Sequence, residues 1–437
     1  MSGAGGLVTL DPLTAAQDTH LWHPFADMAS VRRAEFVIER GEDVWIWDRE
    51  GRRYLDATAS LWYANVGHGR KEIAEAIAAQ LARLEAYSTF GEFANEPALE
   101  LAATLADLAP MPARVFLVSG GGDAIDTAAK LARQYWSQVG EPDRTVLVSR
   151  TAGYHGTHGF GTALAGIPAN REGFGPQVET VQVPHDSIEA VYAEVDKVGP
   201  QRIAAVFVEP VIGAGGVYPP MPGYLEGLSE LCRQTGALLV ADAVICGFGR
   251  LGTWFGIERW EADPAMIVFA KGVTSGYLPL GGVIVSDRVA EPFWAKAGGP
   301  VLRHGPTYAG HPTCCAAALA NLALLGRERL VERGRDLEGA LFDALTPLTR
   351  HDVVAEVRGG TGMLAALELG ADVLDAQPGA VAKVASAARE AGVIVRTQGR
   401  GVAVSPPLTA TPEHFELITE ALDHALSSLR ASLSGTR

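Results

Sequence analysis

The chain is poor in the features that mark several protein classes. Only four of its 437 residues are cysteine, at positions 232, 246, 314 and 315. None forms a Cys-x-x-Cys pair, and the adjacent Cys314 and Cys315 suit neither a usual disulfide nor a zinc site. Free buried thiols are the expectation. No apolar run reaches the roughly 18 residues that a membrane span requires. The first residues, MSGAGGLVTLDPLTAAQD, lack a basic stretch followed by an apolar core, so they do not read as a signal peptide. A cytoplasmic protein is the expectation. Positive charge is also short: 36 Lys and Arg against 51 Asp and Glu leave a net charge of −15. That argues against nucleic acid and anionic membranes as partners and says nothing about small substrates. His155, His304 and His311 are not at metal-ligand spacing, and no carboxylate or thiol pattern joins them. They read as structural or supporting residues, and no metal is expected.

What is present is a globular composition, 48% hydrophobic and 20% charged, on a chain too long for one small core. Six apolar runs stand out: VFLVS (115–119), TVLVS (145–149), IAAVFVE (203–209), ALLVAD (237–242), MIVFA (266–270) and GGVIVS (281–286). They are unbroken rather than alternating, as strands buried on both faces should be. Between them lie helical patterns. DAIDTAAKLARQYW places Ile125, Ala128, Ala129, Ala132 and Tyr135/Trp136 on one face. YLEGLSELCRQTG repeats the pattern and closes on Gly236 as a C-terminal cap. This is an α/β protein with a mostly parallel sheet.

The ends differ. Residues 44–55, VWIWDREGRRYL, read as a hairpin around Glu50-Gly51. Short strands are expected within 353–369 and 393–404, with helices near 71–85, 96–109, 378–391 and 412–430. The expected organisation is a large domain over 71–325 and a small α+β domain built from both termini, 1–70 and 326–437.

In open α/β sheets, ligands sit beyond the carboxyl ends of the strands. Strand 115–119 runs into SGGGDAIDTAAK, where glycines allow close backbone approach and a helix start offers free N–H groups to an anion. The stretch has neither the Gly-x-Gly-x-x-Gly spacing of a dinucleotide fold nor the Gly-Lys-Ser/Thr of a P-loop. Strand 237–242 ends in Asp242, a carboxylate that is costly at that depth without a partner. Strand 266–270 is followed by Lys271. Taken singly, each has a plain reading: a structural turn, a helix cap, a solvated lysine. Taken together, they suit one ligand, a phosphorylated pyridine aldehyde. The lysine would bond to the aldehyde as a Schiff base, the acid would keep the pyridine nitrogen protonated, and the helix start would hold the phosphate. Glu209, at the end of a buried run before Pro210, reads as a structural hydrogen-bonding acid. No Gly-x-Ser-x-Gly elbow is present.

At these residues the sequence resembles the class III aminotransferases, of the fold-type I pyridoxal-phosphate (PLP) enzymes. The resemblance runs from HLWHPFADM to VSPPLTATPEHF. It is most specific in ALLVADAVICGFGRLGTWFGIE, PAMIVFAKGVTSGYLPLGG and GPTYAGHPTCCAAALANL. DAVICGFGR and VIVRTQGRGVAVSPPL are similar to the ω-transaminases, which use pyruvate with amines or ω-amino acids. The resemblance implies a seven-stranded sheet between helices and PLP as the cofactor. It makes Lys271 the Schiff-base lysine and proton shuttle, with Asp242 on the pyridine nitrogen. Tyr154 would stack on one ring face and Ile245 on the other. Gly121 and Gly122 would offer N–H groups to the phosphate. Thr307 would reach the phosphate of a second copy, which implies a homodimer. Phe25, Trp62, Phe90 and Arg396 would line the substrate pocket.

Three positions depart from the family pattern. The cradle usually reads Ser-Gly-Ser/Thr-Glu-Ala, and here it is Gly120-Gly121-Gly122-Asp123-Ala124, without the hydroxyl at 122. Ala243 stands where Glu is usual, and Ser60 where Gly is common. The expectation from the first is weaker cofactor retention, improved by Gly122→Ser. The close alternative is a diaminopelargonate synthase of biotin synthesis, whose similar HLWHP segment is followed by a tyrosine and a paired tryptophan where this chain has Phe25 and Ser-Leu-Trp-Tyr. A nicotinamide dehydrogenase would leave Lys271 and Asp242 unexplained. A non-catalytic protein of this fold, or another PLP reaction such as racemisation or decarboxylation, would share the same core.

Overall fold

The computed structural model describes residues 19–434; the N-terminal stretch read above for a signal peptide lies outside them. A seven-stranded sheet forms the centre. In spatial order its strands are Ala113–Val118, Gly281–Ser286, Met266–Phe269, Leu238–Asp242, Ile203–Val208, Val146–Arg150 and Thr180–Val183. Gly281–Ser286 runs antiparallel to both neighbours, and the remaining adjacent pairs are parallel. The unbroken apolar runs are explained by burial on both faces: every residue of Ile203–Val208, Leu238–Asp242 and Met266–Phe269 is buried.

The helix Gly121–Gln138 buries Ile125, Ala128, Ala129, Ala132, Tyr135 and Trp136, the face that its periodicity marks. The helix Tyr224–Thr235 stops at Gly236, whose φ of 79° is the left-handed conformation of a C-terminal cap. One strand, Thr180–Val183, escapes the sequence reading. It lies at the sheet edge and is only partly buried, so its Thr and Gln carry no unbroken apolar signal.

The two chain ends meet. The hairpin strands Trp45–Asp48 and Arg53–Asp56 pair as expected, and Val393–Ile394 joins them in parallel beside Leu55 and Asp56. Ile38–Glu42, mostly exposed, adds an outer strand that the sequence reading missed. A second four-stranded sheet orders Val354–Arg358, Ala365–Leu369, Gly401–Val404 and Arg396–Gln398. One continuous apolar cluster joins Val44 and Leu55, the sheet residues Val206 and Ile267, and Phe415 of the last helix. The ends of the central strands are thereby fixed against the terminal segments, and Arg396 is brought to their rim.

Candidate active site

Lys271 opens a short 3-10 turn directly after the buried strand Met266–Phe269 and Ala270. Its φ of 47° is left-handed, a conformation that costs a non-glycine residue on the order of 1–3 kcal/mol. Among the described residues no hydrogen bond or ion pair holds its Nζ, which stands 5.7 Å from the centre of the Trp62 ring. The side chain keeps a narrow opening to the cleft, yet surrounding protein desolvates the ammonium. That burial pushes its pKa from 10.5 down to about 8, against the pull of Asp242 and Glu209. The neutral amine is the reactive form, so protonation below that point removes it. Uptake of an aldehyde by the cofactor-free chain should therefore rise about tenfold per pH unit up to about 8 and then level off. A stopped-flow absorbance series measures this, and a midpoint near 10.5 would mean a solvated lysine.

Asp242, 3% exposed, ends the neighbouring strand. Its Oδ1 accepts the Val244 N–H at 3.1 Å, and its Oδ2 lies 2.8 Å from His155 Nδ1. A proton assigned to Nδ1 makes the imidazole the donor. His155 is as buried as the acid it touches. The general expectation of a structural or supporting histidine thus acquires a specific partner, one that nothing in the local sequence names.

A second buried acid stands beside them. Glu209 accepts the N–H of Tyr154 at 3.0 Å on Oε1 and that of Gly213 at 2.9 Å on Oε2. The Arg150 guanidinium donates to its carbonyl. Burial raises the Glu209 pKa above the usual carboxylate range. One carboxylate therefore ties the loop carrying Tyr154 to the loop carrying Gly213. Ile245 packs on the bare backbone of Gly213, where an added Cβ would lie 2.5 Å from Ile245 Cδ1. Tyr154 is half-buried, and burial raises its phenol pKa.

Trp62 links the terminal segments to this group. Its ring faces both Lys271 and Arg396, whose Cζ lies 4.6 Å from the ring centre. Its Nε1 is buried without a partner among the described residues. The turn that carries it is strained: Ala59, Ser60 and Trp62 all have positive φ, and Ser60 combines φ 58° with ψ −88°. Such a backbone suits glycine, the residue that the resemblance leads one to expect at position 60. Asp56 holds the turn by accepting the Ser60 N–H at 2.7 Å and the Thr58 hydroxyl at 2.8 Å.

The glycine-rich turn lies beside these groups. Gly121–Gln138 begins without a side-chain cap, so its first N–H groups have no partner within the helix. A Cβ at Gly121 would stand 3.2 Å from Val244 and 3.7 Å from Ala270, the residue before Lys271. A Cβ at Gly122 would stand 3.1 Å from the His158 ring. A desolvated lysine with no hydrogen bond or ion pair among the described residues, a buried carboxylate and an open helix start fit a phosphorylated pyridine aldehyde.

The structure thus brings Lys271, Asp242, Tyr154, Ile245, Trp62, Arg396, Gly121 and Gly122 to one end of the sheet. It does not bring Phe25, Phe90 or Thr307 to them within one chain. Phe25 is 77% exposed, and Thr307 is exposed. Phe90 lines a separate cavity of about 670 Å³ with Phe116, His304 and Gly305. His304 is engaged there by Thr127 at 2.7 Å and Lys130 at 3.2 Å. Among the described residues no group of His, Cys, Asp or Glu is disposed to hold a metal, and no helix is long and apolar enough to cross a membrane. All four cysteines are free and buried.

Comparison with known proteins agrees with this chemistry. The family model described as aminotransferase class-III matches residues 28–426. A putrescine–pyruvate aminotransferase of Pseudomonas aeruginosa is 36% identical, over 93% of this chain and 94% of its own. A thermostable (S)-enantioselective omega-transaminase of Thermomicrobium roseum superposes with a TM-score of 0.90 at 38% identity, over 94% of this chain and 96% of its own. An amine transaminase from an uncultivated Pseudomonas species, solved in its PLP-bound form, gives the same TM-score and identity over 94% and 99%.

Proposed function

Because the chain belongs to the class III aminotransferases, which depend on PLP, we propose that it moves the amino group of an amine or ω-amino acid to a keto acid such as pyruvate, in two half-reactions around Lys271. The observation that carries this reading is Arg396. It lies over Trp62 beside Lys271, burial lowers its pKa, and no carboxylate pairs with it among the described residues. By contrast, Arg400, in the turn after the strand Arg396–Gln398, is drawn to Glu368 at 3.3 Å.

PLP, when bound, supplies an electron sink and a carrier for the amino group. The chain's residues do the rest. Lys271 holds the cofactor covalently and moves a proton to and from the reacting carbon, a task suited to an amine titrating near 8. Asp242 holds a proton on the ring nitrogen, and His155 fixes that carboxylate. Tyr154 and Ile245 confine the ring, their loops joined through Glu209. Gly121, Gly122 and the helix start take the phosphate. Trp62 and Arg396 form the substrate side: an apolar wall for the amine and a cation for the keto acid's carboxylate. Thr307 acts from a second copy. The exposed Phe90, Phe93, Leu99, Val301 and Tyr308 support such a pairing. Phe25 and the Ser-Leu-Trp-Tyr run depart from the diaminopelargonate synthase pattern, which leaves that reading second.

Cofactor absorbance tests both halves separately. Amine donors should convert the cofactor to its aminated form, and pyruvate should restore it. Arg396→Ala should weaken pyruvate and alanine by roughly tenfold or more, since a bidentate charge-assisted pair is worth about 1.5–3 kcal/mol. A carboxylate-free amine should change little. Equal loss for both substrates would make Arg396 merely structural, and no loss for either would move the carboxylate site to Arg400.

A further inference from the structure

The missing hydroxyl at position 122 has a structural counterpart. An added Cβ on Gly122 would lie 3.1 Å from each of Cγ, Cδ2 and Cε1 of His158. Three ring atoms at one distance mean that the imidazole lies face-on over the glycine, across the direction in which a serine side chain would leave the backbone. Behind this contact, Gly156 packs on Gly122, with an added Cβ only 3.1 Å from its Cα. One edge of the ring also faces a carboxylate. His158 Nδ1 lies 3.4 Å from Asp123 Oδ1, and Asp123 sits in the first turn of the helix Gly121–Gln138. Among the described residues nothing bonds to Nε2, and the side chain is half exposed.

We propose that His158 is a phosphate-side ligand of the cofactor that takes over the hydroxyl's task, an inference that rests on the PLP reading above. Two arguments lead there. A phosphate at this helix start would face the Asp123 carboxylate one residue along, and an imidazole held on that carboxylate offsets the repulsion. The helix start otherwise offers only backbone N–H groups, whereas an imidazole that donates Nδ1–H to Asp123 and Nε2–H to the phosphate adds a side-chain bond. Glycine at 122 then lets the ring lie close, since a Cβ would make the ring give by a few tenths of an ångström. This reverses the expectation that Gly122→Ser tightens binding. A serine would push His158 off this position as it brings its own hydroxyl, so the gain of one phosphate donor is set against the loss of another.

Full-length chains with substitutions at 158 and 122 test this by cofactor binding rather than turnover. Dissociation constants for PLP and for pyridoxal, which lacks the phosphate, are measured by absorbance titration, with thermal melts as a folding control. His158→Ala should weaken PLP by roughly tenfold or more, about 1.4 kcal/mol, and leave pyridoxal unchanged. His158→Gln, whose amide reaches the position of Nε2, should restore most of the loss. His158→Asn, which mimics only Nδ1, should not. Gly122→Ser alone should bring no gain, but combined with His158→Ala it should recover binding lost in His158→Ala. An unchanged ratio of PLP to pyridoxal affinity in His158→Ala would overturn the proposal, as would rescue by Asn and not Gln, which would assign the residue to Asp123 alone. Failure of the unsubstituted chain to bind PLP would instead overturn the proposed function.

Discussion

Lys271→Ala should abolish amino transfer and leave the chain folded. The two halves of that expectation have separate physical grounds. The chemistry needs an amine that can shed its proton near physiological pH, and Lys271 is the lysine at this end of the sheet whose burial brings it to about 8. A positioned acid–base group alone contributes about 10²–10⁴-fold, and loss of the covalent attachment adds to it. The folded state loses little. Nζ has no protein partner among the described residues, so removing it strands no donor or acceptor. It also removes an ammonium that folding must desolvate. The left-handed φ of 47° is no worse for alanine than for lysine. Initial rates with any accepted amine and pyruvate, beside a thermal melt, check both halves. Turnover within about a hundredfold of the unsubstituted chain, a loss of only ~2.7 kcal/mol, would take the reaction away from Lys271.

Lys271 and Asp242 were legible because each follows an unbroken apolar run, where an ionisable residue has few structural uses. The runs also marked six of the seven central strands, since burial on both faces leaves a direct compositional trace. Thr180–Val183, with one edge open, leaves none. Glu209 was readable as a hydrogen-bonding acid, but its two partners lie in loops 55 residues upstream and 4 residues downstream, and only the folded chain supplies the first. The same holds for His155, 87 residues from the carboxylate it touches. His158 carried no signal at all: its meaning comes from Gly122, and the missing side chain there reads in sequence simply as an absence. The resemblance also named Phe25, Phe90 and Thr307, which one chain leaves apart from Lys271. Contacts that the proposed second copy would make are invisible to the periodicity of a single chain.

Asp242→Asn should lower the rate by several orders of magnitude while the cofactor still binds. A neutral amide cannot hold a proton on the ring nitrogen, and a neutral pyridine is a poor electron sink. On the proposed reading the phosphate sits elsewhere, at the start of Gly121–Gln138, so occupancy should survive. A structural objection must be met, because Asp242 also accepts the Val244 N–H and contacts His155. Glu209 provides the control. It is equally buried at 3% exposure, lies in the same cluster and accepts two backbone N–H groups, yet its task is to join loops. Its burial-raised pKa shows that its site tolerates a neutral carboxyl better than water does. Glu209→Gln keeps the shape and one acceptor, so its cost should fall mainly on stability and remain within about tenfold in rate, ~1.4 kcal/mol. If burial and hydrogen bonding alone mattered, the two amides would behave alike. If the charge on Asp242 drives the chemistry, only Asp242→Asn loses the rate, and its bound cofactor shows the absorbance of an unprotonated ring. An Asp242→Asn chain within about tenfold of the original, ~1.4 kcal/mol, would remove Asp242 from that role.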